Sequence, residues 1–323
     1  MHRGIILLLA FFISGCAADQ QLKENSMNSG KAASGDHRYS IRMNKVEREY
    51  LIHVPRGYDG KKPIPVVIMF HGGGGTARAA ARETGWGRKA DEEIFLAVFP
   101  EGSRPDPSRP PDFRTNGQTW ADGSSRFNPD VDDIGYVSAV IHDLKNRFNL
   151  DEKRIYATGF SNGASMTYRV AHELSDVIAS AAPVAGALWL EGGGPKRPVP
   201  VLYITGDSDP LNPLGGGYPR LLIGGRNLGG REKPPVTGQL EKWAAWLSCA
   251  EKARIVSDEG GVRKTVWGPC SEKSEVVFYL IRDLGHTWPG GLSLLPEKWV
   301  GPRTDKISAN DVIWEFFKKH PKP

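Results

Sequence analysis

The chain has 323 residues, 39% apolar and 24% charged, with a formal net charge of +5. That composition can fill one large core and excludes a disordered or fibrous chain. Its 42 Lys and Arg are scattered among 37 Asp and Glu, without a basic stripe or zinc-finger spacing, so nucleic acid is not an expected partner.

Residues 1–16, MHRGIILLLAFFISGC, place Arg3 before an apolar run, Gly4 to Ile13. The run fits a signal h-region and is too short to span a bilayer as a helix. Ile13-Ser14-Gly15-Cys16 is similar to a bacterial lipobox, which implies cleavage before Cys16 and lipidation of its thiol. The expected location is therefore the cell envelope, with the membrane as a partner through a lipid anchor. Residues 17–38 are mostly polar and rich in Ser, Gly and Asn, and they read as a flexible tether. The remainder, 39–323, reads as one catalytic domain. Two cysteines are left, Cys249 and Cys270. An oxidising compartment permits a disulfide between them, and their spacing matches no metal motif.

Tyr39–Met43 and Val46–Pro55 read as two tightly joined strands, since Tyr50, Ile52 and Val54 alternate. Pro65–His71 and Ile94–Pro100 are continuous apolar runs, the pattern of strands buried on both faces. Residues 101–130, rich in Pro, Ser, Gly and Asp, read as a long functional loop. Val131–Asn149 carries Val131, Ile134, Ser138, Ile141, Leu144 and Phe148 at helical spacing. Lys153–Phe160 is a predicted strand and Asn162–Leu174 a helix. Val177–Val184 and Val199–Thr205 are further strands. After a glycine-rich loop come a helix at Thr237–Leu247, a strand at Glu275–Ile281 and a closing helix at Ser308–Lys319, with Ser308 as its cap. The alternation predicts an α/β fold: a mostly parallel central sheet with helices on both faces and the first two strands at one edge.

Gly159-Phe160-Ser161-Asn162-Gly163 is a G-x-S-x-G motif between a predicted strand and a predicted helix, the context a nucleophile elbow requires. A serine nucleophile needs a base, and the base needs a carboxylate. In this architecture the chain order is Ser, acid, His. Of the histidines after Ser161, His172 lies in the elbow helix and His320 near the chain end, which leaves His286 after the last apolar strand. Asp207 and Asp209 both follow the strand at Val199–Thr205, and spacing does not choose between them. Stabilisation of a tetrahedral oxyanion needs backbone donors. The N–H of Asn162 and an N–H of the loop His71-Gly72-Gly73-Gly74-Gly75, at Gly72 or Gly73, are the candidates.

Read in order, HGGGG at 71–75, FPEG at 99–102, VDDIGY at 131–136, TGFSNGASM at 158–166, GDSDPLNP at 206–213, GHTWPGG at 285–291 and VIWEFF at 312–317 form a set. From about residue 38 to 319 the chain resembles bacterial extracellular poly(3-hydroxybutyrate) depolymerases and feruloyl esterase-type α/β-hydrolases. The resemblance implies a serine esterase of α/β-hydrolase fold that needs no cofactor and no metal. It selects Asp209 through Gly206, Asp209 and Pro213, and it pairs Cys249 with Cys270. It also puts Trp120, in QTWADG, and Trp288 near the substrate; independently of it, Phe113, Trp120 and Phe127 are aromatics of the 101–130 loop that can flank an acyl or aryl group. The all-glycine loop at 71–75 lacks the cysteine of many depolymerases, and no polymer-binding module follows before Pro323. The expected substrates are aryl, short-acyl or carbohydrate-linked esters. A polyester depolymerase, or an inactive lipid-anchored binding protein on the same scaffold, is the alternative.

Overall fold

The computed structural model describes residues 33–43, 46–125, 130–220, 222–223, 226–227, 230–250 and 252–323. Cys16 and the proposed signal lie outside the described residues, as does Phe127.

Strands β1 (Gly35–Met43) and β2 (Val46–Val54) pair antiparallel, with Tyr39 opposite Tyr50. β1 starts at Gly35, so the ordered chain takes in residues 35–38 of the stretch read as tether. Polar composition hid a strand whose alternate residues point inward and whose backbone bonds come from β2. β3 (Ile64–Phe70) and β4 (Leu96–Pro100) are buried along their whole length. Between them lie two helices with no counterpart in the sequence reading, α1 (Ala77–Thr84) and α2 (Trp86–Glu93). Their inward faces are small residues plus Trp86, which gives little apolar periodicity to read.

The chain continues through α3 (Asp133–Arg147), β5 (Leu150–Phe160), α4 (Asn162–Glu173), β6 (Ala181–Val184) and β7 (Val201–Gly206). A short ribbon follows, β8 (Leu222–Ile223) with β9 (Arg226–Asn227). Then come α5 (Val236–Trp246), the hairpin β10 (Arg254–Glu259) and β11 (Val262–Trp267), β12 (Val276–Ile281), α6 (Glu297–Val300) and α7 (Ala309–Lys319). Ser308 caps α7 as expected, its hydroxyl accepting from the Asp311 N–H. The buried residues of α3 are Asp133, Tyr136, Val137, Val140, Ile141 and Leu144, so the helix was right but its predicted face was only partly so: Ile141 and Leu144 belong to it, whereas Ser138 is exposed and Val131 and Ile134 are half-buried.

Ten strands form one sheet in the order β1-β2-β4-β3-β5-β6-β7-β12-β11-β10. The central run from β4 to β12 is parallel, and antiparallel pairs extend both edges. Alternation along β3 feeds both faces. Val66, Ile68 and Phe70 join the core under α3, α4 and α5, while Val67 and Met69 join the core under α1, α2 and α7. Cys249 and Cys270 are joined by a disulfide, the pairing implied by the resemblance. It ties the chain after α5 to the chain after β11, around the β10–β11 hairpin.

Candidate active site

The parallel strands all end on one edge of the sheet, and the segments that leave β3, β4, β5, β7 and β12 there carry the candidate residues. β5 ends at Phe160 and α4 starts at Asn162. Ser161 makes the whole turn, with φ 58° and ψ −119°. That backbone is rarely populated by a residue with a Cβ and costs roughly 1–3 kcal/mol. It is held because the Ser161 N–H donates to the Val184 carbonyl at 2.9 Å, and the Ser161 carbonyl accepts from Ala164 at 3.0 Å and Ser165 at 3.2 Å. The flanking glycines are sterically required. A Cβ on Gly159 would stand 2.3 Å from the Gly163 carbonyl oxygen, and one on Gly163 would stand 2.2 Å from that of Phe70.

Asp209 follows β7 and His286 follows β12. His286 Nδ1 and Asp209 Oδ2 are 2.8 Å apart, and both residues are buried. Asp209 Oδ1 accepts from the N–H groups of Leu211 and Asn212, each at 2.8 Å. The carboxylate is thus fixed at both oxygens. His286 is held by its own N–H, which donates to the Val300 carbonyl. Its ring lies against Phe160, centroids 4.8 Å apart, so the pair reaches the residue next to Ser161. Asp207 is exposed and turned elsewhere: its Oδ1 accepts from the Asp283 N–H at 2.8 Å.

The glycine loop after β3 lies over the elbow. A Cβ on Gly72 would stand 3.4 Å from Ser161 Cβ, and one on Gly73 would stand 3.5 Å from Asn162 Cβ. The N–H of Gly74 donates to the Gln118 carbonyl at 2.7 Å, and that of Gly75 to the Gly72 carbonyl at 2.9 Å. Gly72 and Gly73 remain the candidate donors from this loop. Asn162 opens α4, and the first N–H groups of a helix have no intrahelical acceptor and lie at its positive end.

His71 anchors this loop. Its Nδ1 donates to the Gly72 carbonyl at 2.8 Å, and its Nε2 accepts from the Gly102 N–H at 2.9 Å. Burial lowers its pKa from 6.5 to about 4, against the opposing pull of the Gly72 carbonyl. Because the folded value lies below the unfolded one, the unfolded chain binds the extra proton first. The stabilisation is present above pH 6.5 and is lost as pH falls towards 4, by about 3 kcal/mol at most. Urea unfolding at pH 7 and pH 4.5 should show this loss. His71→Gln should be weaker at pH 7 but lose less between the two; an equal loss in both proteins would refute the assignment.

Trp120 and Trp288, placed near the substrate by the resemblance, are both interior, at 0% and 1% exposure. Trp120 Nε1 donates to the His71 carbonyl at 2.9 Å, and Trp288 Nε1 donates to Asn310 Oδ1 at 2.9 Å. They brace the site from beneath. Among the described aromatics of the 101–130 loop, Phe113 stays exposed, at 43%, with its ring edge against Gly74. The sequence reading missed the side-chain contacts of Asn162 with the loop at 120–122, although it singled out both QTWADG and the elbow.

No protein-family model matches the chain. Over 283 residues it is 30% identical to NocK, assigned as an esterase, of Nocardia uniformis subsp. tsuyamanensis, covering 83% of this chain and 78% of that protein. It is 27% identical to feruloyl esterase C of Emericella nidulans over 280 residues, covering 84% and 83%. It is 30% identical to feruloyl esterase B of Piromyces equi over 212 residues, spanning 62% of this chain but only 36% of that protein's length. Among solved structures, acetyl xylan esterase from Aspergillus awamori superposes with a TM-score of 0.56 at 14% identity, covering 87% of this chain and 99% of that one. The structural likeness gives the α/β-hydrolase fold, and the sequence likeness gives the activity class. The chain belongs to the esterases of the α/β-hydrolase fold, which hydrolyse carboxylic esters.

Proposed function

We propose that this esterase works through an acyl-enzyme, with Ser161 as nucleophile, His286 as base and Asp209 as the partner of the imidazole. The observation that supports this most is the buried 2.8 Å contact between His286 Nδ1 and Asp209 Oδ2 beside the strained elbow. With its proton on Nδ1 and directed at the carboxylate, His286 presents Nε2 as acceptor for the Ser161 hydroxyl proton. Ser161 Oγ attacks the ester carbonyl, and the oxyanion takes hydrogen bonds from the N–H of Asn162 and of Gly72 or Gly73. The C–O bond to the alcohol breaks as His286 returns the proton to it. Water, deprotonated by the same imidazole, then attacks the acyl carbon and the acid leaves Ser161.

For substrates we propose aryl, short-acyl or carbohydrate-linked esters. The feruloyl and acetyl xylan esterases among the relatives support this, and exposed Phe113 beside the oxyanion loop offers an aromatic contact. Export and anchoring through Cys16 belong to the same reading, resting on residues 1–16. The test is kcat/KM for methyl ferulate, p-nitrophenyl acetate and a hydroxybutyrate trimer, with clearing of a polyester suspension alongside. The small esters should turn over fastest. Clearing without aryl or acetyl turnover would move the activity to polyester, and no turnover at all would leave a binding protein. Cys16→Ala should leave the membrane fraction; retention there would mean a different anchor.

A further inference from the structure

Residues 120–122 pass beneath the oxyanion loop just after the isolated Ser103–Thr119 bridge. Here side chains do what a neighbouring strand would do. The Trp120 N–H donates to Asn162 Oδ1 at 2.8 Å, and the Trp120 carbonyl accepts from Asn162 Nδ2 at 3.2 Å. The Ala121 N–H donates to Asp133 Oδ2 at 2.7 Å, and the Ala121 carbonyl accepts from the Arg169 guanidinium. A primary amide pairs with a peptide group in this way because it carries one acceptor and one donor side by side.

The direction of that amide is set by Asp122. Its Oδ2 accepts from Asn162 Nδ2 at 2.7 Å, while its Oδ1 accepts from the Ser124 N–H at 3.0 Å. Asp122 and Asn162 are both buried, at 3% and 7% exposure. A carboxylate accepts and cannot donate when ionised, so the nitrogen of Asn162 must face it and the oxygen must face the Trp120 N–H. Trp120 then reaches on, its indole N–H holding the His71 carbonyl where the glycine loop begins. Asn162 Cβ is also the atom nearest to a Cβ built on Gly73. One residue therefore touches both halves of the oxyanion hole. Its backbone N–H belongs to the helix half, and its side chain grips the segment that braces the loop half.

We propose that the Asn162 side chain and Asp122 are positioning residues that fix the spacing between the two oxyanion donors. The proposal rests on the serine-esterase reading above. Donors aimed at a developing charge lose effect steeply when displaced, so the clamp acts on the transition state far more than on substrate binding.

The test compares kcat, KM and the inhibition constant of a trifluoromethyl ketone, which forms a tetrahedral adduct on the serine. Asn162→Ala and Asp122→Ala should each lower kcat about 10- to 100-fold, with KM nearly unchanged. The ketone should weaken by the same factor. The double variant should be no worse than the poorer single one, because both act through one contact. Asp122→Asn should fall between the parent and Asp122→Ala, because its single amide oxygen can still accept from Asn162 but its nitrogen then faces the Ser124 N–H. Variants that keep parental kcat and ketone affinity would overturn the clamp, whatever happens to Tm, and so would additive losses. If the alanine variants do not fold, Asn162→Asp keeps the shape but opposes two carboxylates; an unchanged kcat there overturns the proposal equally. Titration of each protein with a fluorophosphonate separates the two readings. A parent chain unreactive at Ser161 would sink the nucleophile assignment, whereas fully titrating variants with full kcat would sink only the clamp.

Discussion

Ser161→Ala should lower kcat by at least about 10³-fold and leave only the weak turnover that an oxyanion hole and binding provide. The backbone at 161 should survive the change, because its bonds to Val184, Ala164 and Ser165 use main-chain atoms. A fluorophosphonate should label the parent protein and not the variant. His286→Ala should be as inactive as the serine variant, and the double variant no worse than either, since nucleophile and base act as one unit. Labelling of the Ser161 variant at the same peptide, or ordinary turnover without His286, would show that another residue carries the chemistry.

Asp209→Asn should cost about 10²- to 10⁴-fold in kcat, and Asp207→Asn less than about threefold. Asp209 receives two backbone N–H groups on one oxygen and the imidazole on the other. An amide at 209 must turn either its nitrogen towards those N–H groups or its nitrogen towards His286. The first leaves both N–H groups without an acceptor, and the second reverses the proton on the ring. Asp207 faces solvent and accepts from the Asp283 N–H, which an asparagine oxygen can also do. Steady-state kinetics on the two variants decides the matter; a dead 207 variant with an active 209 variant would reverse the assignment.

This pair of aspartates marks where spacing stops and resemblance has to choose. Both sit two residues apart after one strand, and packing turns towards His286 the one that the resemblance selects. The elbow was readable because its steric demands act within five residues, where glycines at both ends bracket the serine. The choice of His286 rested on its position along the chain, and the structure sets that ring against Asp209. The sheet was readable where burial is complete, as in β3 and β4, whose runs are apolar throughout. It was not readable in β10, where every residue is exposed, because no apolar alternation marks a strand that has solvent on both sides. The roles of Trp120 and Trp288 were hidden for a different reason. An aromatic in a loop looks the same in sequence whether it faces a ligand or lies under the loop that does. Only the indole N–H contacts to His71 and Asn310 distinguish the two.

The backbone at Ser161 also has a consequence for the fitness of this chain. A glycine at that position would adopt φ 58° without its steric penalty. The Ser161→Gly protein would then gain part of the strain energy and melt later, with no hydroxyl to attack an ester. Selection for robustness alone would therefore erode the elbow. If Ser161 is the nucleophile, as proposed, retaining it is a stability–activity trade-off located in one residue.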